Sequence, residues 1–300
     1  MEKRKRRFGD RKDGYLLRGL DGMHFIVPLL YPNRCDNEAY ISERIDITNA
    51  EAYLAKRNAE DPEFRYTLFH LIVAAMVKTI TLRPKMNRFI ANKNFYQRNE
   101  ISAAFVVKKQ FADDAHEALA VVHANDETNI DSIHDDIYQQ ITSCRSDKLD
   151  TSSDAMDIVS KIPRFISKTF VAFVRFLDRH GKVPLSLIGT DPYYCTVVLT
   201  NLGSIKLKSG YHHLTNWGTN SVFVAIGETK ERPFYDESGN MEMRRSVELG
   251  LTIDERLADG YYYSKTVKLL KHLLENPELL ETPAAEKVDY YGNYSKNAMA

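Results

Sequence analysis

Apolar side chains recur at three- and four-residue steps from Thr67 to Leu82, at Leu68, Leu71, Ile72, Ala75, Met76, Thr79 and Ile80, and Pro84 follows. That spacing predicts a long helix closed by the proline. Ile130, Ile133, Ile137 and Ile141 predict another over Ile130–Cys144, and Tyr261–Leu274 shows the same period. A short helix is expected over Ala50–Asn58, with Thr48 or Asn49 as N-cap. Asp154–His180 reads as a helix pair or a helix kinked at Pro163 and stopped at Gly181, its apolar face expected to pack into its own core. Short strands are expected at Phe89–Ile90, Phe95–Arg98, Ile101–Lys108 and Ala118–Ala124. The apolar runs Cys195–Thr200 and Val222–Gly227 read as strands covered on both faces. Glu231–Tyr235 and Met241–Ile253 predict a hairpin around Ser238-Gly239-Asn240, with Val247, Leu249, Leu251 and Ile253 on one face. A polar loop, Asp254–Gly260, then joins this strand to a helix.

Helices and strands therefore alternate within one α/β body. The expected division is a basic arm over 1–20, a domain over 21–280 and a polar tail over 281–300. The chain has 300 residues, with 41 Lys+Arg balanced by 41 Asp+Glu, so no net field draws it to nucleic acid. Seven Lys or Arg in the first twelve residues read first as a solvated arm, and contact of this arm and of the apolar helix around Phe165–Leu177 with a membrane surface is left open as the alternative. No apolar stretch is long enough to span a bilayer and no cleavable signal opens the chain, so the cytoplasm is the expected compartment. Cys35, Cys144 and Cys195 are widely spaced, and the histidines show no ligand spacing, so neither a disulfide framework nor a metal site is expected.

Dinucleotide, P-loop, zincin and α/β-hydrolase motifs are absent. What remains is Thr200-Asn201-Leu202-Gly203, His212-His213 and Asp254-Glu255-Arg256-Leu257-Ala258-Asp259-Gly260. The stretch from Leu251 to Leu280 resembles the C-terminal motif of the chloramphenicol acetyltransferase and dihydrolipoamide acyltransferase superfamily, in which a strand runs into His-x-x-x-Asp-Gly and a helix follows. Three further segments agree in order: Arg44–Thr48, Arg83–Asn87 at the end of the long helix, and Val198–Gly203.

The resemblance implies a two-layer α/β sandwich, a mixed sheet covered by helices, assembled as a homotrimer with active sites between subunits. It implies acyl transfer from a thioester such as acyl-coenzyme A, a co-substrate rather than a tightly bound cofactor, to a small hydroxyl, thiol or amine acceptor. Thr200 aligns with the hydroxyl residue that donates to the oxyanion, beside Asn201, and Asp259 with an aspartate thought to fix the turn through an ion pair ahead of Gly260.

At the general-base position this chain has Glu255 instead of histidine. A carboxylate with a reference pKa of about 4.3 needs burial to act as a base toward an alcohol or thiol, and Arg256, if folded back on it, would oppose that. Three readings follow: Glu255 acts as the base; the base has moved to His213 of the His212-His213 pair; or the protein is a non-catalytic trimeric scaffold.

Overall fold

The computed structural model describes residues 5–108, 117–145, 161–189 and 191–290. In chain order these form β1 Gly14–Leu16, α1 Gly22–Leu30, β2 Glu38–Asp46, α2 Thr48–Arg57, α3 Leu68–Leu82, β3 Arg88–Ala91, β4 Asn94–Arg98, β5 Ile101–Lys108, β6 Glu117–Ala124 and α4 Ile130–Arg145. They continue with α5 Arg164–Arg179, α6 Leu185–Ile188, β7 Val197–Asn201, β8 Val222–Ile226, β9 Lys230–Tyr235, β10 Met241–Asp254 and α7 Gly260–Glu275. The 154–160 part of the expected helix pair lies outside the described residues; α5 begins directly after Pro163.

The main sheet runs in the order β2-β10-β8-β7-β5-β6, with β9 also paired to β10. It is mixed: β5, β7 and β8 are mutually parallel, and the other pairs are antiparallel. Alternation on β10 places Val247, Leu249, Leu251 and Ile253 in the core, where α2, α3, α4 and α7 cover the sheet. On the opposite face Ala104, Val198 and Phe223 meet Cys195 and Leu214 in a smaller cluster. The two apolar runs of the second half are thus covered on both faces, and the α/β two-layer architecture is as expected.

The backbone after β7 returns across this second face. A Cβ on Gly250 would lie 1.9 Å from the Gly210 carbonyl oxygen, so only glycine lets the strand pass under it. A second sheet, β1-β4-β3, stands to one side.

The ends of the chain are more integrated than the expected division. Arg11 is buried and bonds Asp178 at 2.7 Å, and β1 pairs with β4. Beyond residue 280, Ala284 is buried. The Lys78 ammonium, itself buried, donates to the carbonyls of Leu279, Thr282 and Pro283 and to the Thr282 hydroxyl. Among the described residues no helix is long and apolar enough to cross a membrane, and none of the three cysteines is in a disulfide.

Candidate active site

At the end of β10 the expected polar loop is a buried joint: Asp254, Arg256, Leu257 and Ala258 are all buried, and Glu255 between them is exposed. Asp254 accepts a two-pronged grip from Arg256, Nε to Oδ1 at 2.7 Å and Nη2 to Oδ2 at 2.6 Å. Arg34, also buried, sets its Nε 3.8 Å from the same carboxylate. Tyr263 donates its hydroxyl to the Asp254 carbonyl at 2.7 Å, and the Glu255 amide donates to the Asn37 carbonyl at 3.0 Å. Arg256 therefore folds back on Asp254 and onto the Tyr31 carbonyl, not on Glu255. Charge-assisted, paired hydrogen bonds of this kind hold a turn rigidly. The Glu255 backbone is fixed while its carboxylate stays in solvent.

Asp259 holds the turn through the backbone. It is the N-cap of α7, accepting the Tyr262 amide at 2.8 Å, and that bond draws its carboxyl below the usual range. Gly260 is the first residue of the helix. Tyr262 ties this helix to the segment after α3: its carbonyl accepts from Arg83 at 3.0 Å, its hydroxyl accepts the Lys85 amide at 3.0 Å, and its ring lies 3.8 Å under the Arg83 guanidinium.

Thr200 stands half-buried on β7, opposite Ala225 of β8, which in turn opposes Gly250 of β10. Glu255 lies beyond Ile253, the partner of Val222, at the other end of these strands. With a rise of about 3.3 Å per residue and about 4.8 Å between strands, the Thr200 and Glu255 backbones are roughly 19 Å apart. One chain does not bring them together. Asn201 caps the following turn, its side chain accepting the Ser204 amide at 3.2 Å.

His213 is at the Glu255 end. Its Nδ1 faces the Leu214 carbonyl at 2.8 Å, and its ring lies 4.7 Å from His212, which stacks on Phe223 at 4.1 Å. The Leu214 amide donates to Glu38, and Glu38 opposes Asp254 across β2 and β10. A histidine whose Nδ1–H is held by a carbonyl presents Nε2 as the acceptor. Glu38 and Arg34 belong to this site although sequence reasoning singled out neither of them.

Among the described residues no group of three or more His, Cys, Asp or Glu converges as metal ligands do. A surface depression of about 520 Å³ lies along α5, lined by Arg164, Lys168, Val171 and Arg175, and includes neither Glu255 nor Thr200.

This sheet, helix layer and strand-turn-helix define the chloramphenicol acetyltransferase-like acyltransferase fold. Residues 192–282 match the family of 2-oxoacid dehydrogenases acyltransferase (catalytic domain). The dihydrolipoamide acetyltransferase of Azotobacter vinelandii, investigated through a serine, a histidine and, four positions later, an asparagine, superposes with a TM-score of 0.58 at 15% identity, over 88% of this chain and 94% of that one. The cubic core of a pyruvate dehydrogenase multienzyme complex gives 0.58 at 14% identity, over 88% and 94%. A chloramphenicol acetyltransferase gives 0.52 at 11%, over 88% and 98%. No curated protein matches the sequence. The chain therefore has an acyltransferase-like fold.

Proposed function

We propose that the protein is a homotrimeric acyltransferase whose reaction centre lies between neighbouring copies, combining Glu255 of one with Thr200 of the next. The supporting observation is the separation of roughly 19 Å just described: within one chain the two residues stand at opposite ends of the strands, and both reach the surface. A carboxylate in solvent is a poor base, and docking of a second chain over Glu255 would take it out of water. The four-residue step from Glu255 to Asp259 repeats the histidine-to-asparagine spacing of the Azotobacter enzyme.

In the reaction, the acceptor oxygen, sulfur or nitrogen attacks the thioester carbonyl of an acyl-coenzyme A while its proton passes to the Glu255 carboxylate. Thr200 donates a hydrogen bond to the tetrahedral oxyanion. The carbon–sulfur bond then breaks, and the departing thiolate recovers the proton. Proton removal contributes about 10²–10⁴-fold and an oxyanion donor about 10²–10³-fold.

Two other readings are separated by the same assay. In one, His213, with Nδ1 on a carbonyl, serves as base in place of Glu255; in the other, favoured by the exposure of Glu255, the protein is a non-catalytic scaffold. Free thiol release from acyl-coenzyme A is followed with a panel of amines, alcohols and thiols. Glu255→Gln and Thr200→Ala each abolish turnover if the proposal holds. Co-expressing these two variants then restores about a quarter of the activity, because randomly mixed subunits place an intact Glu255 against an intact Thr200 at one interface in four. Loss in His213→Ala with retention in Glu255→Gln transfers the role of base to His213. A monomeric mass, or no turnover together with no acyl-coenzyme A binding, removes the proposal.

A further inference from the structure

Helix α5 is where expectation and structure part most sharply. Its apolar face, expected to pack into a core of its own, lies in solvent: Phe165 is 72% exposed, Phe173 56% and Phe176 57%, and Val174 is the one residue of the helix classed as buried. At about 100° per residue, Phe165, Ile166, Phe170, Phe173 and Phe176 share one arc. Arg164, Lys168, Arg175 and Arg179 occupy the adjoining arc on the Phe165 side, all exposed. The single acid of the helix, Asp178, is taken by Arg11 through its side chain and its carbonyl. That bond also brings the N-terminal segment to the end of α5, where Lys5, Arg6 and Arg7 are exposed and Phe8 is 98% exposed.

From this arrangement we infer that α5 and the adjoining N-terminal segment form a docking surface for an anionic lipid bilayer. A helix with aromatic residues on one side and arginine and lysine on the other lies in the plane of a membrane interface, its apolar side below the headgroups and its cations among the phosphates. The charge selects this partner over a second copy of the chain: the one carboxylate of the helix is held by Arg11, so a second copy of the helix offers these cations no counter-charge, whereas an anionic headgroup does. The surface is independent of the Glu255 and Thr200 site, so its test does not depend on acyl transfer.

The full-length protein is floated with vesicles of phosphatidylcholine alone and of phosphatidylcholine with about a third phosphatidylglycerol, at low and at high salt. It should float with the anionic vesicles and be released from the neutral ones, with binding weakened as salt rises. Arg175→Glu should weaken binding at least fivefold, since each surface cation contributes about that factor at an anionic membrane. Phe173→Asp and, separately, Phe165→Ser should lower flotation further while leaving the circular dichroism spectrum unchanged, because both side chains are exposed. Equal binding to neutral and anionic vesicles, or flotation indifferent to these substitutions, overturns the inference. So does a native protein that fails to float while Phe173→Asp lowers its mass in solution; the face would then belong to a second copy.

Discussion

Helices α3 and α5 carry apolar residues at the same spacing and meet opposite fates. In α3 every residue from His70 to Ile80 is buried, whereas α5 buries only Val174. The difference lies in the other side of each helix. The one cation of α3, Lys78, is enclosed by carbonyl and hydroxyl oxygens from the chain beyond α7, so the helix can be covered all round. The cations of α5 have no such cage and keep one side in solvent. Periodicity announces a helix, and the placement of its charges decides how much of it the fold can take in.

The comparison breaks most visibly at the turn that α3 and α7 support. Arg256→Ala strands the Asp254 carboxylate in the interior, and removing one partner of such a pair costs about 3–5 kcal/mol. Arg34 remains nearby, so the lower end of that range is expected in a urea unfolding midpoint. In α3, Leu71→Ala empties a fully buried site and should lower stability by about 2–5 kcal/mol, measured in the same way.

His70 makes α3 sensitive to acid. Burial, with His134 alongside, holds its pKa down to about 4, and its Nδ1 accepts the Thr67 amide at 2.9 Å. The unfolded chain takes up this proton below about pH 6.5, while the folded chain resists until about 4. Stability is therefore full above about pH 6.5 and declines toward pH 4, by on the order of 3 kcal/mol at most. His70→Gln keeps a side-chain acceptor for the Thr67 amide and should flatten that part of the pH profile. The smallest effect belongs to α5: Phe173→Ser should change the unfolding midpoint by less than about 0.5 kcal/mol, because the side chain is more than half exposed.

Much of this was legible in advance. The strands β7, β8 and β10 and the helices α3, α4 and α7 follow from period and punctuation, because each lies wholly inside one layer and its pattern is uninterrupted. Strand β2 was missed: as an edge strand it alternates Ala39, Ile41 and Ile45 with Tyr40, Ser42 and Arg44, but Glu43 stands on the inner side and pairs with Lys271 at 2.9 Å, which blurs the alternation. Helix α1 holds Pro28 and leaves most of its apolar residues exposed, so it lacks a recognisable buried stripe.

For the site, the residues at the tip of β10 and the start of α7 were readable from the motif, but their contacts were not. Asp254 and Arg256 stand two apart in an unremarkable polar string, and only the arrival of Arg34 and Tyr31 from a distant part of the chain, with Tyr263 from the next helix, makes them a buried clamp. The sequence by itself determined where chemistry is offered, a carboxylate between a strand and a helix and a threonine at another strand's end, since local pattern controls which residues occupy element termini. Tertiary structure alone decided that these two groups lie far apart in one chain, that Arg256 serves Asp254 and not Glu255, and that the most amphipathic helix remains uncovered. Such outcomes depend on strand register and on which distant surfaces meet, and neither is encoded in any single window of sequence.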